Sequence, residues 1–211
     1  MHNLLIVGTG GFAREVFWHA QNSIGFGETF YTKGFLEGNI PLRMGYYDNL
    51  PLPVFSNILD YCIAKDDVFV IAIADINAKI AISKIIDEKG GEYINLIHKT
   101  SMVSEKVNIG KDVILCPFTT VSVNVNIGNH IMLNSYSSLG HDAILGDYTS
   151  VMAHVDITGN VEVGKATYWG SGSRALPHSK IGEHSLVGAG SVVLKKVKAG
   201  QTVFGNPAMP I

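Results

Sequence analysis

The chain is poor in cysteine: Cys62 and Cys116 are the only two in 211 residues, and no CxxC spacing joins them. That argues against a disulfide framework or a zinc site and favours a reducing, cytoplasmic setting. Charge is also sparse. Sixteen Lys and Arg face eighteen Asp and Glu, a formal net charge of −2, so binding to a phosphate backbone is not expected as the main role. No stretch approaches the roughly 18 consecutive apolar residues of a membrane span. The first apolar run, Leu4-Leu5-Ile6-Val7, follows no basic segment and no cleavage site follows it, so a signal peptide is not expected. No HxxxH and no cluster of Asp, Glu and His at ligand spacing is present, and no strand–Ser–helix elbow supports a serine nucleophile.

What is abundant is a repeat. Sixteen residues recur at a spacing of six: Val103, Ile109, Leu115, Val121, Ile127, Leu133, Leu139, Leu145, Val151, Ile157, Val163, Trp169, Ala175, Ile181, Val187 and Val193. A helix has period 3.6, and an alternating strand has no preference for every sixth residue. A chain that turns a corner every six residues must point one residue per side inward. This is the hexapeptide pattern of a parallel β-helix. Four residues further on, each hexad again places a small or aliphatic residue, from Val107 and Val113 to Ser185 and Ser191. Glycine often follows the apolar residue, as at Gly110, Gly128, Gly140, Gly146, Gly164, Gly182 and Gly188, where corner angles and close approach favour it. Three hexads close one coil, so residues 18 apart stack and sixteen hexads give a solenoid of about five coils.

Residues 3–95 follow another rhythm. Leu4–Val7 reads as a strand, Phe12–Gln21 as a helix with Phe12, Val16 and Phe17 on one face, and Phe30–Leu36 as a second strand. Segment 38–55 reads as a loop or irregular lid. Ser56 is placed to cap a helix through about Ala64, Val68–Ala74 is a strongly apolar third strand, Asn77–Lys89 a helix, and Tyr93–Ile97 a fourth strand. The alternation predicts a small parallel, Rossmann-like α/β domain over residues 1–96 and a β-helix over 97–211. Gly8-Thr9-Gly10-Gly11-Phe12-Ala13 has the GxGxxA form of a nucleotide-binding turn, whose helix N-terminus favours a phosphate. Alone, the same residues also describe a tight strand-to-helix turn without a ligand. Glu37, closing the second strand, is placed to accept hydrogen bonds from a ribose or base.

On the repeat, His130, His154, His178 and His184 all fall three residues after the apolar position, at a polar corner where a solvated side chain is expected. His141 differs: it lies third in Leu139-Gly140-His141-Asp142-Ala143-Ile144, beside a carboxylate. An imidazole suits proton transfer near neutral pH, and the acid can hold its tautomer and favour the imidazolium. Such a base suits acyl transfer from a thioester, where the protein need only remove a proton and supply donors to an oxyanion. Asn134, seven residues earlier, is a candidate donor.

Val7 to Glu15, Gly34-Phe35-Leu36-Glu37, Val70 to Asp75, Leu96-Ile97-His98-Lys99, Gly140-His141-Asp142, Val187 to Val193 and Gly205-Asn206-Pro207-Ala208 together resemble the hexapeptide acyltransferases of the sialic-acid O-acetyltransferase and bacillosamine-type nucleotide-sugar N-acetyltransferase group. The resemblance implies a left-handed β-helix, a homotrimer and acetyl-CoA as co-substrate in the groove between prisms, with no metal. It implies a nucleotide sugar held by the N-terminal domain, with no nucleic-acid partner and no membrane insertion. It assigns the general base to His141, its acidic partner to Asp142 and an active-site asparagine to Asn134. Gly10, Gly11, Phe12, Glu37, Ala74 and Lys79 would face the nucleotide; Ser150, Gly159, Ser171 and Gly188 would face CoA. Ser150 stands where some relatives carry a histidine, and His154 has no counterpart. The activity implied is N-acetylation of a nucleotide-linked 4-amino-deoxysugar. O-acetylation of a sialic-acid-type sugar is the alternative within the group, and a β-helix scaffold the alternative outside catalysis.

Overall fold

The computed structural model describes residues 1–38 and 50–211. The chain divides into two compact units, Met1–Lys99 and Thr100–Ile211.

The first unit is built on a parallel sheet of β1 (His2–Val7), β2 (Phe30–Glu37), β3 (Val54–Asn57), β4 (Asp67–Ile71) and β5 (Glu92–Tyr93), in the order β3-β2-β1-β4-β5. Leu4, Leu5, Ile6 and Val7 in the central strand have no exposed surface, as a sheet covered on both faces requires. Helix α1 (Gly11–Gln21) buries Ala13, Val16, Phe17 and Ala20, and α2 (Ile76–Glu88) buries Lys79, Ile82, Ser83 and Ile86. Both sets follow the i, i+3, i+4, i+7 rhythm of one helix face. In α1 the face is turned from the one expected: Phe12 is only half-buried and the two alanines lie inside. Helix α2 starts where Asp75 Oδ1 accepts from the Ala78 N–H at 2.8 Å, an N-cap worth about 1 kcal/mol.

Two sequence expectations are corrected in this unit. The helix from Ser56 does not form. Val54 to Asn57 pairs with β2 as an edge strand, the Ile58 N–H donates to the Glu37 carbonyl at 2.9 Å, and Asn57 Oδ1 caps a single turn at the Asp60 N–H. A β-branched and an aromatic residue beside an open sheet edge outweigh the capping serine. The fourth strand is also shorter than Tyr93–Ile97: β5 ends at Tyr93 and Leu96–Ile97 is a separate strand. Of the expected loop 38–55, residues 39–49 lie outside the described residues, and Val54 and Phe55 belong to β3.

The second unit is a left-handed parallel β-helix with three sheets. Two-residue strands recur every six residues and pair with strands 18 residues away, as Thr120–Val121 pairs with both Met102–Val103 and Ser138–Leu139. The recurring apolar residues from Leu115 to Val193 are buried, with Val103 and Ile109 at the open end less so. The residues four positions on, from Val113 to Ser191, are buried as well. Trp169 and Ala175, the two outliers in size, are both fully buried in one coil, and Trp169 Nε1 donates to Thr167 Oγ1 at 3.1 Å. They are consecutive inward positions of that coil, one large and one small.

The corner residues three positions after each apolar residue adopt left-handed φ between 54° and 71° from Lys106 to His184, and Gly172 is the only glycine among them. The glycines after the apolar residues therefore serve close approach rather than unusual angles: a methyl at Gly140 would collide with the Gly159 backbone one coil on. Two sheets hold six strands each: in one the sixth is Val192–Val193 of the last hexad, and in the other it is Lys196–Val197, which continues the stack after Val193. That last step is compressed: Lys196–Val197 pairs with Lys180–Ile181 and Thr202–Val203 with Leu186–Val187, a separation of 16 residues.

Candidate active site

The β-helix presents one exposed imidazole–carboxylate couple. The strand Ser138–Leu139 ends at a corner where Asp142 takes φ 60°, and this turn sets adjacent side chains side by side. His141 Nδ1 and Asp142 Oδ2 are 2.8 Å apart, with 58% and 46% of the two side chains exposed. The hydrogen bond from His141, and then one from Asn124, hold the Asp142 carboxyl below the usual carboxylate range. A carboxylate at Nδ1 assigns the Nδ1–H tautomer and leaves Nε2 as the basic nitrogen. Among the described residues no side chain hydrogen-bonds Nε2. It lies over Gly159: a methyl there would sit 2.5 Å from Nε2 and 2.6 Å from Cε1. Gly159, expected as a backbone contact for CoA, is thus first the space in which the imidazole rests.

Asn134 occupies the preceding corner, after strand Met132–Leu133, and its Oδ1 accepts from the Ser135 N–H at 2.6 Å. Within one chain no hydrogen bond among the described residues joins it to His141 or Asp142. Ser171 is exposed, and Gly188 packs against the Phe204 ring. Ser150 departs from expectation. Its side chain is fully buried, whereas a contact to CoA in a surface groove needs an outward hydroxyl. His130 also departs from its expected solvated corner: it is buried, 2.9 Å from Asp112 and stacked on Tyr148. His154 is exposed and stacks on Tyr136 with ring centroids 5.0 Å apart. A trough of about 550 Å³ on the sheet of Glu162–Val163 and Lys180–Ile181 is lined by Lys165, Lys180, Lys196 and Lys198. Two of these lysines pair with Glu183 and Glu162, and the couple at His141 is not part of its lining.

In the first unit the structure ties the glycine turn to the end of β2. The strand order turns at β1 and β4, and the crevice beyond the carboxyl ends of such strands is where α/β sheets bind ligands. Val7 runs into Gly8, whose φ of 123° and 2.9 Å approach of a methyl to the Ala72 carbonyl exclude a side chain. Gly8 is therefore the glycine the fold needs. Gly10 and Gly11 are exposed, with Gly10 as the N-cap of α1 and no side-chain cap on its first N–H groups. Among the described residues a methyl on Gly10 would meet nothing within 4 Å, so none of them fills the space above the helix start. Phe12 is half-buried beside it. Glu37 is held at both oxygens, from Thr9 Oγ1 at 2.6 Å and from the Gly38 N–H at 2.8 Å, tying the end of β2 to the glycine turn. Ala74 follows β4, half-buried, and Lys79 is buried on α2. Among the described residues no group of His, Cys, Asp and Glu is arranged to hold a metal ion, and no helix is long and apolar enough to cross a membrane.

A hexapeptide prism with an outward histidine–carboxylate couple, joined to a sheet with an open glycine turn, defines an acyltransferase of the hexapeptide-repeat class. No family model matches the chain. It is 37% identical over 149 residues to a GDP-perosamine N-acetyltransferase of Escherichia coli, a match covering 66% of each chain and so about two thirds of that relative. Its fold superposes on WeeI of Acinetobacter baumannii with a TM-score of 0.86 at 28% identity, over 100% of both chains. It superposes equally, at 24% identity, on PerB of Caulobacter crescentus solved with CoA and GDP-perosamine, over 100% of this chain and 98% of that one. The chain belongs to the hexapeptide-repeat nucleotide-sugar N-acetyltransferase family.

Proposed function

We propose that the protein transfers an acetyl group from acetyl-CoA to the amino group of a nucleotide-linked 4-amino-deoxysugar, with His141 as general base. The observation that carries this reading is the exposed couple: Nδ1 bound to Asp142 at 2.8 Å, Nε2 over a glycine that leaves it room. The amine nitrogen attacks the thioester carbonyl and forms the C–N bond. His141 Nε2 takes the amine proton as the oxyanion develops. Collapse breaks the C–S bond, and the imidazolium returns its proton to the departing thiolate. Asp142 stabilises the imidazolium while it exists.

Asn134 and His141 lie on different corners of one prism, so they can share a reacting centre only across neighbouring prisms. This supports a homotrimer with its sites between subunits, in which the Asn134 amide, its oxygen held by Ser135, offers N–H to the acceptor or the oxyanion. Gly159, Ser171 and Gly188 would border the CoA groove; Ser150 fits that role poorly because it is buried. In the first unit the N–H groups at the start of α1, beside Gly10, Gly11 and Phe12, receive the diphosphate, and Glu37 and Ala74 bound the same crevice; Lys79, buried on α2, fits that role no better than Ser150 fits the CoA groove. A sugar nucleotide and acetyl-CoA meet in the cytoplasm, the compartment proposed here.

Thiol release from acetyl-CoA, measured with GDP-, UDP- and dTDP-linked amino sugars and with sialic acid, tests the reading. GDP-perosamine, the substrate in the relative's name, is the first acceptor to assay. Release dependent on an amino-sugar nucleotide and abolished in His141→Ala supports it. Release with sialic acid alone supports O-acetylation, and no release with any acceptor supports a scaffold.

A further inference from the structure

The couple at His141 has a structural difficulty. Half of each side chain is exposed, and an exposed ion pair in water is too weak to hold two side chains in one geometry. The prism offers a second anchor. Residues 18 apart stack, and at this corner the stack reads Asn124, Asp142, Asn160, with φ of 58°, 60° and 59°. Asn124 Nδ2 donates to Asp142 Oδ1 at 3.2 Å while Oδ2 takes His141 Nδ1. The two carboxylate oxygens are thus held from two different coils. The backbone fixes the same three coils to one another: the Asp142 N–H donates to Val123 O at 3.0 Å, and the Asn160 N–H to His141 O at 2.8 Å. Asn160 Nδ2 stands 3.5 Å from His141 Nδ1, a contact rather than a bond when that nitrogen carries the proton.

We propose that Asn124 is a positioning residue, one that fixes the rotation of the Asp142 carboxylate and through it the plane of the His141 ring. It touches neither substrate nor reacting atoms. The inference rests on the reading of His141 as the base, yet its geometry can be tested without any turnover. Val123 and Asn124 below the couple, and Gly159 and Asn160 above it, carry no charge; Lys106 and His178, each two coils from Asp142, are the ionisable groups of the same corner column.

Asn124→Gly removes the amide and keeps the left-handed corner that alanine would strain. Asn124→Asp keeps the size and replaces the donor by a second carboxylate. Titration of the Asp142 carboxyl by carbon-13 NMR should show its midpoint rising in Asn124→Gly and rising further in Asn124→Asp. In steady-state assays kcat of Asn124→Gly should fall about 3- to 10-fold, the range for one lost hydrogen bond, with KM for acetyl-CoA and the thermal midpoint unchanged. An Asp142 titration that is the same in all three proteins, with kcat within about two-fold, overturns the proposal. A wild-type protein without acetyl transfer refutes the functional reading, and the titration still decides whether Asn124 holds the carboxylate.

Discussion

Replacing Gly159 by alanine would set a methyl carbon 2.5 Å from His141 Nε2, 2.6 Å from Cε1 and 3.0 Å from Cδ2. Ordinary carbon contacts begin near ~3.5 Å, so the ring must withdraw by about 1 Å. It can do so cheaply, because its outer side is in solvent. The cost therefore falls on catalysis and not on folding: stability should change by less than about 1 kcal/mol, while misplacement of a base by ~1 Å costs on the order of 100-fold in kcat. Thiol release under saturating acetyl-CoA and acceptor measures the second quantity, and thermal unfolding the first. A Gly159→Ala protein whose kcat stays within about three-fold of wild type would show that the ring does not work from the position described. A protein that loses several kcal/mol would show that Gly159 serves packing instead.

Other outcomes follow from the same geometry. His141→Ala should lower kcat by ~10²–10⁴-fold, the usual cost of losing a general base, without moving the thermal midpoint. Trp169→Ala should destabilise the prism by about 3–5 kcal/mol, and Ala175→Leu, which overfills the same coil, by about 1–3 kcal/mol; chemical denaturation reads both. Burial, and then the charge of nearby His98, lower the His19 pKa to about 4, so the unfolded chain binds a proton between pH 6.5 and 4 that the folded chain refuses. Stability should fall as pH falls through that window, by about 1–2 kcal/mol after allowance for partial exposure. His19→Gln should flatten this slope in pH-dependent thermal unfolding.

The prism was readable because a corner every six residues leaves little freedom: side, depth and stacking partner of Val121 or Leu139 all follow from position in the hexad. The α/β unit was readable where a run was long, as in Leu4–Val7 and Val68–Ile71. It was not readable at Ser56, where an open edge of β2 drew Val54 and Phe55 into a strand. The His141–Asp142 couple was visible as neighbours in sequence. Its supports were overlooked, although the stacking interval pointed to them: 18 residues on from His141 is Gly159, and 18 back from Asp142 is Asn124. Burial of His130 was signalled by the same interval, since 18 residues back from it stands Asp112, itself buried; burial of Ser150 had no such local signal.

The far end of the prism bears on assembly. There Met209–Pro210 runs antiparallel to Thr202–Phe204, whereas every other strand of the solenoid runs parallel to its neighbours. A further coil, from this chain or from another copy, would need a template of the same polarity in that sheet. It would meet instead a reversed strand with a proline that has no N–H to donate. On that side the rod carries its own stop, which leaves its flanks for the subunit contacts proposed above.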